Sequence, residues 1–394
     1  MRRTGHIRQR SPGSFELRYS MGANMATGKR RIATATVRGT HKDAEKELRR
    51  LLRSLDTGEH VDPTRMTVRA WLSAWLSADR EGVAPKTHER YSEIVNHFLA
   101  PALGNLPLAK LTPAHIQNAY NGWATAGRRD GKPGGLSPRT RRHIHRILSS
   151  ALTRAVEQQL IARNPCEVFK KRLPRVERRE MTTLTTEQAA QLLETIRRHR
   201  VYWPVLLALA SGMRRGEILG LRWRNVDFEK GTIRIVESLE QTKAGLRFKA
   251  PKNDRTRVVN LPAFAIEVLR HLKLEQAEHL FMLGVRQSGD TLVCCREDGE
   301  PMLPTSLTHE FAKVAGRIEG VPRVRFHDLR HSHATQLLLA GVHPKVAQER
   351  LGHASITTTL DLYSHVTATM QEDAATKLDT AFRSAISARN RDAS

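Results

Sequence analysis

The spacing of apolar positions changes period several times along the chain, and each change marks an element. In "SFELRYS" (14–20), Phe15, Leu17 and Tyr19 alternate with Glu16 and Arg18, the period of a half-buried strand. "RRIATATVRG" (30–39) gives a second strand, β-branched at Ile32, Thr34, Thr36 and Val37 and closed by Gly39. Its buried face stays open, because Ala33, Ala35 and Val37 form an equally apolar set. From residue 41 the spacing turns helical through Ala44, Leu48, Leu51 and Leu52, and "DTGEHVDP" (56–63) reads as a linker.

Residues 66–165 carry helical stripes. Val68, Trp71, Leu72, Trp75 and Leu76 fall at i, i+3, i+4, i+7 and i+8, and Tyr91, Ile94, Val95 and Phe98 repeat the pattern after a turn at Pro85. Thr112 and Pro113 open a third helix as N-cap and first position. A basic, glycine-rich loop, "AGRRDGKPGGLS" (126–137), precedes a long fourth helix whose Ile144, Ile147 and Leu148 face a bundle. The aromatic stripes read as core.

"RNPCEVFKKRLPRVERREM" (163–181) is proline-broken and basic, and reads as an interdomain linker. Beyond it, Thr185 and Gln188 suit a capping box for a helix through Leu192 and Ile196. Helices at 201–210 and 214–222 follow, then strands at 232–236, 246–249 and 256–260, then helices to about residue 388. The expected fold is mainly α and multidomain: a small N-terminal sheet-plus-helix domain (1–60), a helical bundle (64–165), and a mixed α+β domain (175–388), mostly helical with a small antiparallel sheet.

Charge adds a partner to this picture. The formal net charge is +25, from 65 Lys and Arg against 40 Asp and Glu, and residues 1–60 alone hold 14 basic and 6 acidic side chains. Such a surplus points to a polyanion, with nucleic acid first because each neutralised phosphate releases counterions. The three cysteines, Cys166, Cys294 and Cys295, have neither zinc-site nor disulfide spacing and suit a reducing compartment. The longest apolar run, Val201 to Ala210, is too short to cross a bilayer and contains Pro204. The basic N-terminus lacks the apolar core of a signal peptide. A cytoplasmic protein with no membrane partner is expected.

Five short motifs carry candidate chemistry. "SGMRRGEILGLRW" (211–223) sets Arg214 and Glu217 three apart on a helix, where the carboxylate can hold the guanidinium. "APKNDRTRVVNLP" (250–262) places Lys252 ahead of a strand, in an expected hairpin turn. "HDLRHSH" (327–333) brings His327 and Arg330 onto one face. "RLGHAS" (350–355) has Gly352 where a helix would stop, delivering His353 at the corner. "TTTLDLYSHV" (357–366) carries Tyr363 ten residues after His353.

The order of these motifs resembles the tyrosine recombinases, the phage-integrase group of site-specific DNA recombinases. The resemblance implies three parts: an arm-site-binding domain (1–60), a helical core-binding domain (64–165) and a catalytic domain (175–388). It implies that Tyr363 attacks a DNA phosphate to form a 3′-phosphotyrosine and free a 5′ hydroxyl. Lys252 would be the general acid, with Lys249 and Lys243 as neighbours in the same region. His327 would assist proton transfer, His353 would hydrogen-bond the phosphate, and Glu217 would orient the arginines. Arginine's planar fork matches the non-bridging oxygens, so Arg214 and Arg330 are the expected clamp. His331 shares the face of His327 and Arg330 while His333 points elsewhere, and both read as structural or solvent-facing.

The phosphotyrosine keeps the bond energy, so no cofactor, metal or ATP is implied. The implied partners are double-stranded attachment-site DNA, a homotetramer on paired sites, and accessory DNA-bending or directionality factors. Integration or excision of a prophage or other mobile element, in the host cytoplasm at the nucleoid, is the expected activity. Three rivals remain. A metal-dependent nuclease could use His327, His331 and His353 as ligands, although a central arginine would repel the cation. A DNA-binding regulator would explain the charge but not the ordered motifs. A type IB topoisomerase would share the chemistry without needing two partner sequences.

Overall fold

The alternating run at 14–20 lies in the central strand of a three-stranded antiparallel sheet, ordered β1 (Gly5–Ser11), β2 (Ser14–Ala23), β3 (Arg30–Arg38). Leu17 pairs with Ile7 on one side and Ala35 on the other. Helix α1 (His41–Asp56) lays Ala44, Leu51 and Leu55 over Phe15, Leu17 and Tyr19. That cover decides the open face of β3: Ala33, Ala35 and Val37 pack inward, and Ile32 is left 58% exposed. Strand β1 is not anticipated by its own pattern, since Ile7 is its one aliphatic contribution to this core. It forms because pairing with β2 satisfies its backbone.

The computed structural model describes residues 5–23, 30–56, 66–177, 181–251, 256–363, 375–384 and 386. The chain divides into two units, 1–177 and 178–394. The rest of the first unit is a helical bundle: α2 (Val68–Ala78), α3 (Pro85–Ile94), a π-helical turn at Val95–Leu99 leading into α4 (Ala100–Leu103), α5 (Pro113–Thr125) and α6 (Pro138–Glu157). Thr112 caps α5 as expected, and the Trp71 indole donates to the Ala151 carbonyl at 2.9 Å, tying α2 to α6. The expected linker at 163–181 begins instead as part of this bundle. Cys166 and Phe169 are buried in its core, and Asn164 donates to the Ser149 carbonyl at 2.9 Å while its side-chain oxygen accepts from the Cys166 N–H.

The second unit opens with α7 (Thr186–Thr195), whose capping box is Thr185 and Gln188. It continues through α8 (Tyr202–Ser211), α9 (Arg215–Leu219), β4 (Val226–Asp227), β5 (Thr232–Ile235), β6 (Ser238–Thr242), β7 (Gly245–Lys249) and β8 (Arg257–Asn260). Five helices complete it: α10 (Ala263–Met282), α11 (Pro304–Ala315), α12 (Phe326–Leu339), α13 (Pro344–Leu351) and α14 (Ile356–Tyr363). The helix expected at 214–222 stops at Leu219, because Leu221 and Trp223 turn into the core.

The hairpin expected around Lys252 is corrected. Strand β7 pairs with β6, whereas β8 pairs with β5, so β7 and β8 are not partners in one hairpin and the hairpin turn lies at Lys243 and Ala244. Lys252 itself lies outside the described residues. The described residues are mainly helical with small antiparallel sheets, and none of their helices is long and apolar enough to cross a membrane. The tail expected to be helical is a helix at 375–384, with Leu378 and Phe382 exposed.

Candidate active site

Two helix ends build the site. Helix α8 stops at Gly212 and α13 stops at Gly352, both in the left-handed conformation, with φ of 68° and 65°. A Cβ at Gly212 would lie 2.6 Å from the His333 ring, and one at Gly352 would lie 3.0 Å from the Arg257 guanidinium, so both corners need glycine. Each left-handed stop leaves carbonyls that no further helical turn can satisfy. Arginines satisfy them here.

Arg330, on α12 and 3% exposed, donates from Nη1 to the Gly212 carbonyl and from Nη2 to the Leu351 carbonyl, both at 2.6 Å. Arg214 donates from Nη2 to the Gly352 carbonyl at 2.9 Å and from Nη1 to Glu217 Oε1 at 2.8 Å. Arg257 donates from Nε to the Arg350 carbonyl at 3.0 Å, and its Nη1 and Nη2 reach both oxygens of Glu217 at 3.1 and 2.7 Å. Two guanidinium groups, those of Arg214 and Arg257, thus share one carboxylate, with the Arg330 cation close by, and the cluster keeps a positive excess.

Glu217 is the hub. Burial works to raise its carboxyl, but hydrogen bonds and charge from Arg257 and Arg214 outweigh that and hold it at about 2. Burial, with Arg214 adding repulsion, pushes the Arg330 guanidinium down to about 9, so it is still a cation at neutral pH. A cleft of about 270 Å³ lies against Arg214, Arg257, Gly352 and His353, with Lys345 and Gln348 also on its walls.

The histidines separate by location. His353 Nδ1 lies 2.9 Å from Thr359 Oγ1, and burial together with the neighbouring arginines pushes its imidazole down to about 4. His327 and His331 meet edge to face, ring centres 5.0 Å apart. Partial burial, then His331 and Arg330, lower His327, though its exposed edge lets water screen part of that effect. His333 turns the other way, as its helical position implies, but is buried rather than solvent-facing. Its Nδ1 lies 2.7 Å from the Leu209 carbonyl and its Nε2 accepts from Arg350 Nε at 3.0 Å.

Of the residues singled out from the sequence, Arg214, Glu217, Arg330, His327 and His353 come together. Tyr363 ends α14, one turn beyond Thr359. Lys249 is engaged by Glu240 across the β6–β7 hairpin. Sequence reasoning missed Arg257, Arg350 and His333 as parts of the network. Only the parity of Arg257 on its strand hinted that it faced inward. Among the described residues, no group of three or more His, Cys, Asp or Glu side chains forms a metal-ligand set.

Acid should loosen this unit in two stages. The His333 imidazole is pushed by burial and by Arg350 from its ordinary 6.5 to about 4, so the unfolded chain takes the proton first. Its contribution is whole above pH 6.5 and is lost as pH falls through about 4. The Glu217 contribution is whole above its ordinary 4.5 and is lost as pH falls through about 2. Thermal unfolding followed against pH checks this, and a melting temperature that stays constant between pH 6.5 and 4 would refute the first stage.

Comparison with known proteins adds an independent line. A profile of the phage integrase family matches residues 182–370, and one for the phage integrase N-terminal SAM-like domain matches residues 67–124. A "Tyrosine recombinase XerC-like" protein of Caldanaerobacter subterraneus subsp. tengcongensis is 28% identical over 363 residues, covering 87% of this chain and 90% of its own. The ICEBs1 integrase of Bacillus subtilis is 26% identical over 376 residues, covering 95% and 99%. Among solved structures, the Tn1549 transposon integrase in complex with a circular intermediate DNA superposes with a TM-score of 0.63 at 20% identity, covering 78% of this chain and 99% of that one. That last likeness concerns the fold.

Proposed function

The chain belongs to the phage integrase family of tyrosine recombinases, and from that premise we propose how its own residues cleave and rejoin DNA. Its activity is that of an integrase of phage or mobile-element type. The observation that carries the residue-level reading is the pair Arg214 and Arg257 on the single carboxylate of Glu217, with the buried Arg330 cation near them, beside an open cleft. An anion completes that charge balance, and attack on a phosphodiester builds further negative charge on the oxygens the arginines face.

Arg214 and Arg330 hold the non-bridging oxygens, and His353 donates a further hydrogen bond to the phosphate. The Tyr363 hydroxyl attacks phosphorus, its proton passing toward His327. The bond to the 5′ oxygen breaks, and Lys252 protonates that oxygen as it leaves. The 3′-phosphotyrosine then yields to the 5′ hydroxyl of a partner duplex, which restores the tyrosine. Each step exchanges one phosphoester for another, so no external energy source enters. A residual positive charge at the cleft also disfavours the metal-nuclease alternative.

Double-stranded attachment-site DNA is the substrate, gripped as a tetramer on paired sites. In the bundle, Arg90, Arg139, Arg142 and Arg146 line one groove and supply phosphate contacts. In the N-terminal sheet, the face turned away from α1 presents His6, Arg8, Arg18, Thr34, Thr36 and Arg38 around Glu16 and the exposed Ile32, a mainly polar surface with a basic excess suited to arm-site DNA. Substituting both Arg8 and Arg18 by Ala should weaken arm-duplex binding by about tenfold and lower the salt slope by roughly two. Binding isotherms at several salt concentrations measure this; an unchanged slope removes the sheet from the interface.

A suicide duplex bearing the core site, which traps the covalent intermediate, tests the whole reading. An adduct should form in excess chelator. Adduct formation that needs a divalent cation would favour the metal-dependent alternative.

A further inference from the structure

The chemistry above uses the arginines but not the histidine packed behind them. His333 lies on α12, three residues beyond Arg330, and is 7% exposed. Its two nitrogens face partners of opposite kind. The Leu209 carbonyl, 2.7 Å from Nδ1, can only accept, and the Arg350 Nε–H, 3.0 Å from Nε2, can only donate. The ring is therefore neutral, with its proton on Nδ1, and both of its positions are filled.

Arg350 completes the connection. Its Nη2 donates to the Ala210 carbonyl at 3.0 Å. His333 and Arg350 together staple the last turn of α8, at Leu209 and Ala210, to the end of α13. In the last turn of α13 and at the two glycine corners stand the carbonyls that hold the cluster: Gly212 and Leu351 for Arg330, Gly352 for Arg214, and that of Arg350 itself for Arg257. A shift between the two helix ends would therefore re-aim all three guanidinium groups at once. The ring also sits against the Gly212 corner, where even a Cβ would not fit.

We propose that His333 is a positioning residue: through Arg350 it sets the spacing of the α8 and α13 ends, and so the aim of Arg214 and Arg330. It does not touch DNA. The proposal rests on the reading that these arginines grip the scissile phosphate.

The test separates three substitutions by which hydrogen bond each keeps. His333→Gln places an amide oxygen near the Nε2 position and keeps an acceptor for Arg350. His333→Asn keeps a donor for Leu209 but loses Arg350. His333→Phe keeps the volume and loses both. For each full-length variant, adduct formation on the suicide duplex, affinity for that duplex and melting temperature are measured.

Binding should stay close to the parent throughout. Adduct formation should slow on the order of a hundredfold for Asn and Phe, as misaimed catalytic groups do, and recover in large part for Gln. Arg350→Lys cannot reach the imidazole and the Ala210 carbonyl together, and should reproduce the loss without altering the buried ring. It carries the test if His333→Phe does not fold. A parental rate in His333→Phe or in Arg350→Lys overturns the proposal. So does a loss that tracks melting temperature across all variants with no rescue by Gln, which is packing alone. Arg330→Lys is run in parallel, because a parental rate there fails the phosphate-clamp reading whatever the His333 variants do.

Discussion

Tyr363→Phe should abolish the covalent protein–DNA adduct and leave duplex binding intact. Phenylalanine keeps the ring and the helix propensity but has no oxygen to bond to phosphorus. Loss of a nucleophile typically removes on the order of 10⁴-fold or more of the rate, which for this assay is complete loss. Binding should survive because the proposed phosphate contacts belong to Arg214, Arg330 and the basic surfaces of the first unit, none of which the substitution touches. The local structure gives the tyrosine its setting. His353 at the Gly352 corner bonds Thr359, which is fully buried, and position 363 follows one helical turn later at the end of α14. Adduct retained in the Phe variant on denaturing gels would show that another residue is the nucleophile.

Glu217→Ala should destabilise the second unit and silence the enzyme together. The carboxylate is 2% exposed and is the acceptor for both Arg214 and Arg257. Removing it leaves guanidinium groups without their counter-charge in a partly dry setting, at a cost of about 3–5 kcal/mol. A domain's whole stability is only about 5–15 kcal/mol, so the folded population should fall measurably. Glu217→Gln keeps the shape and one acceptor oxygen, and should sit between parent and Ala in urea unfolding while still losing most adduct formation. A Gln variant with parental cleavage would show that the charge of Glu217 is not needed to aim Arg214.

Much of the architecture was legible because it is written in local spacing. The stripe from Val68 to Leu76 is the buried face of α2, and the capping pair Thr185 and Gln188 starts α7. Where two readings had equal local support, the sequence stayed open. Ile32 and Ala33 begin equally plausible inward faces of β3, and only the position of α1 chose between them. The turn near Lys252 was misjudged for a related reason. Adjacent strands in sequence usually pair, but β7 and β8 each found a partner earlier in the chain. The segment after residue 163 looks like a linker because prolines and basic residues dominate it, yet Cys166 and Phe169 in the core and the hydrogen bonds of Asn164 fasten its start to the bundle.

The chain's sequence by itself determined most of the helices, the excess of positive charge, and the order of the motifs that mark the family. It also placed His327 and Arg330 on one helical turn and set Arg214 three residues before Glu217, a pair the structure joins as the extended N-cap and the third residue of α9. These spacings are local and need no distant contact. The tertiary structure decided everything that depends on pairing across the chain. Arg214 meets a carbonyl 138 residues away, Arg330 one 118 residues away, and His333 one 124 residues away. No local pattern encodes such a meeting, because the acceptors are backbone carbonyls that every residue carries. They become distinctive only when two helices stop at glycine corners and leave those carbonyls facing the same buried cations.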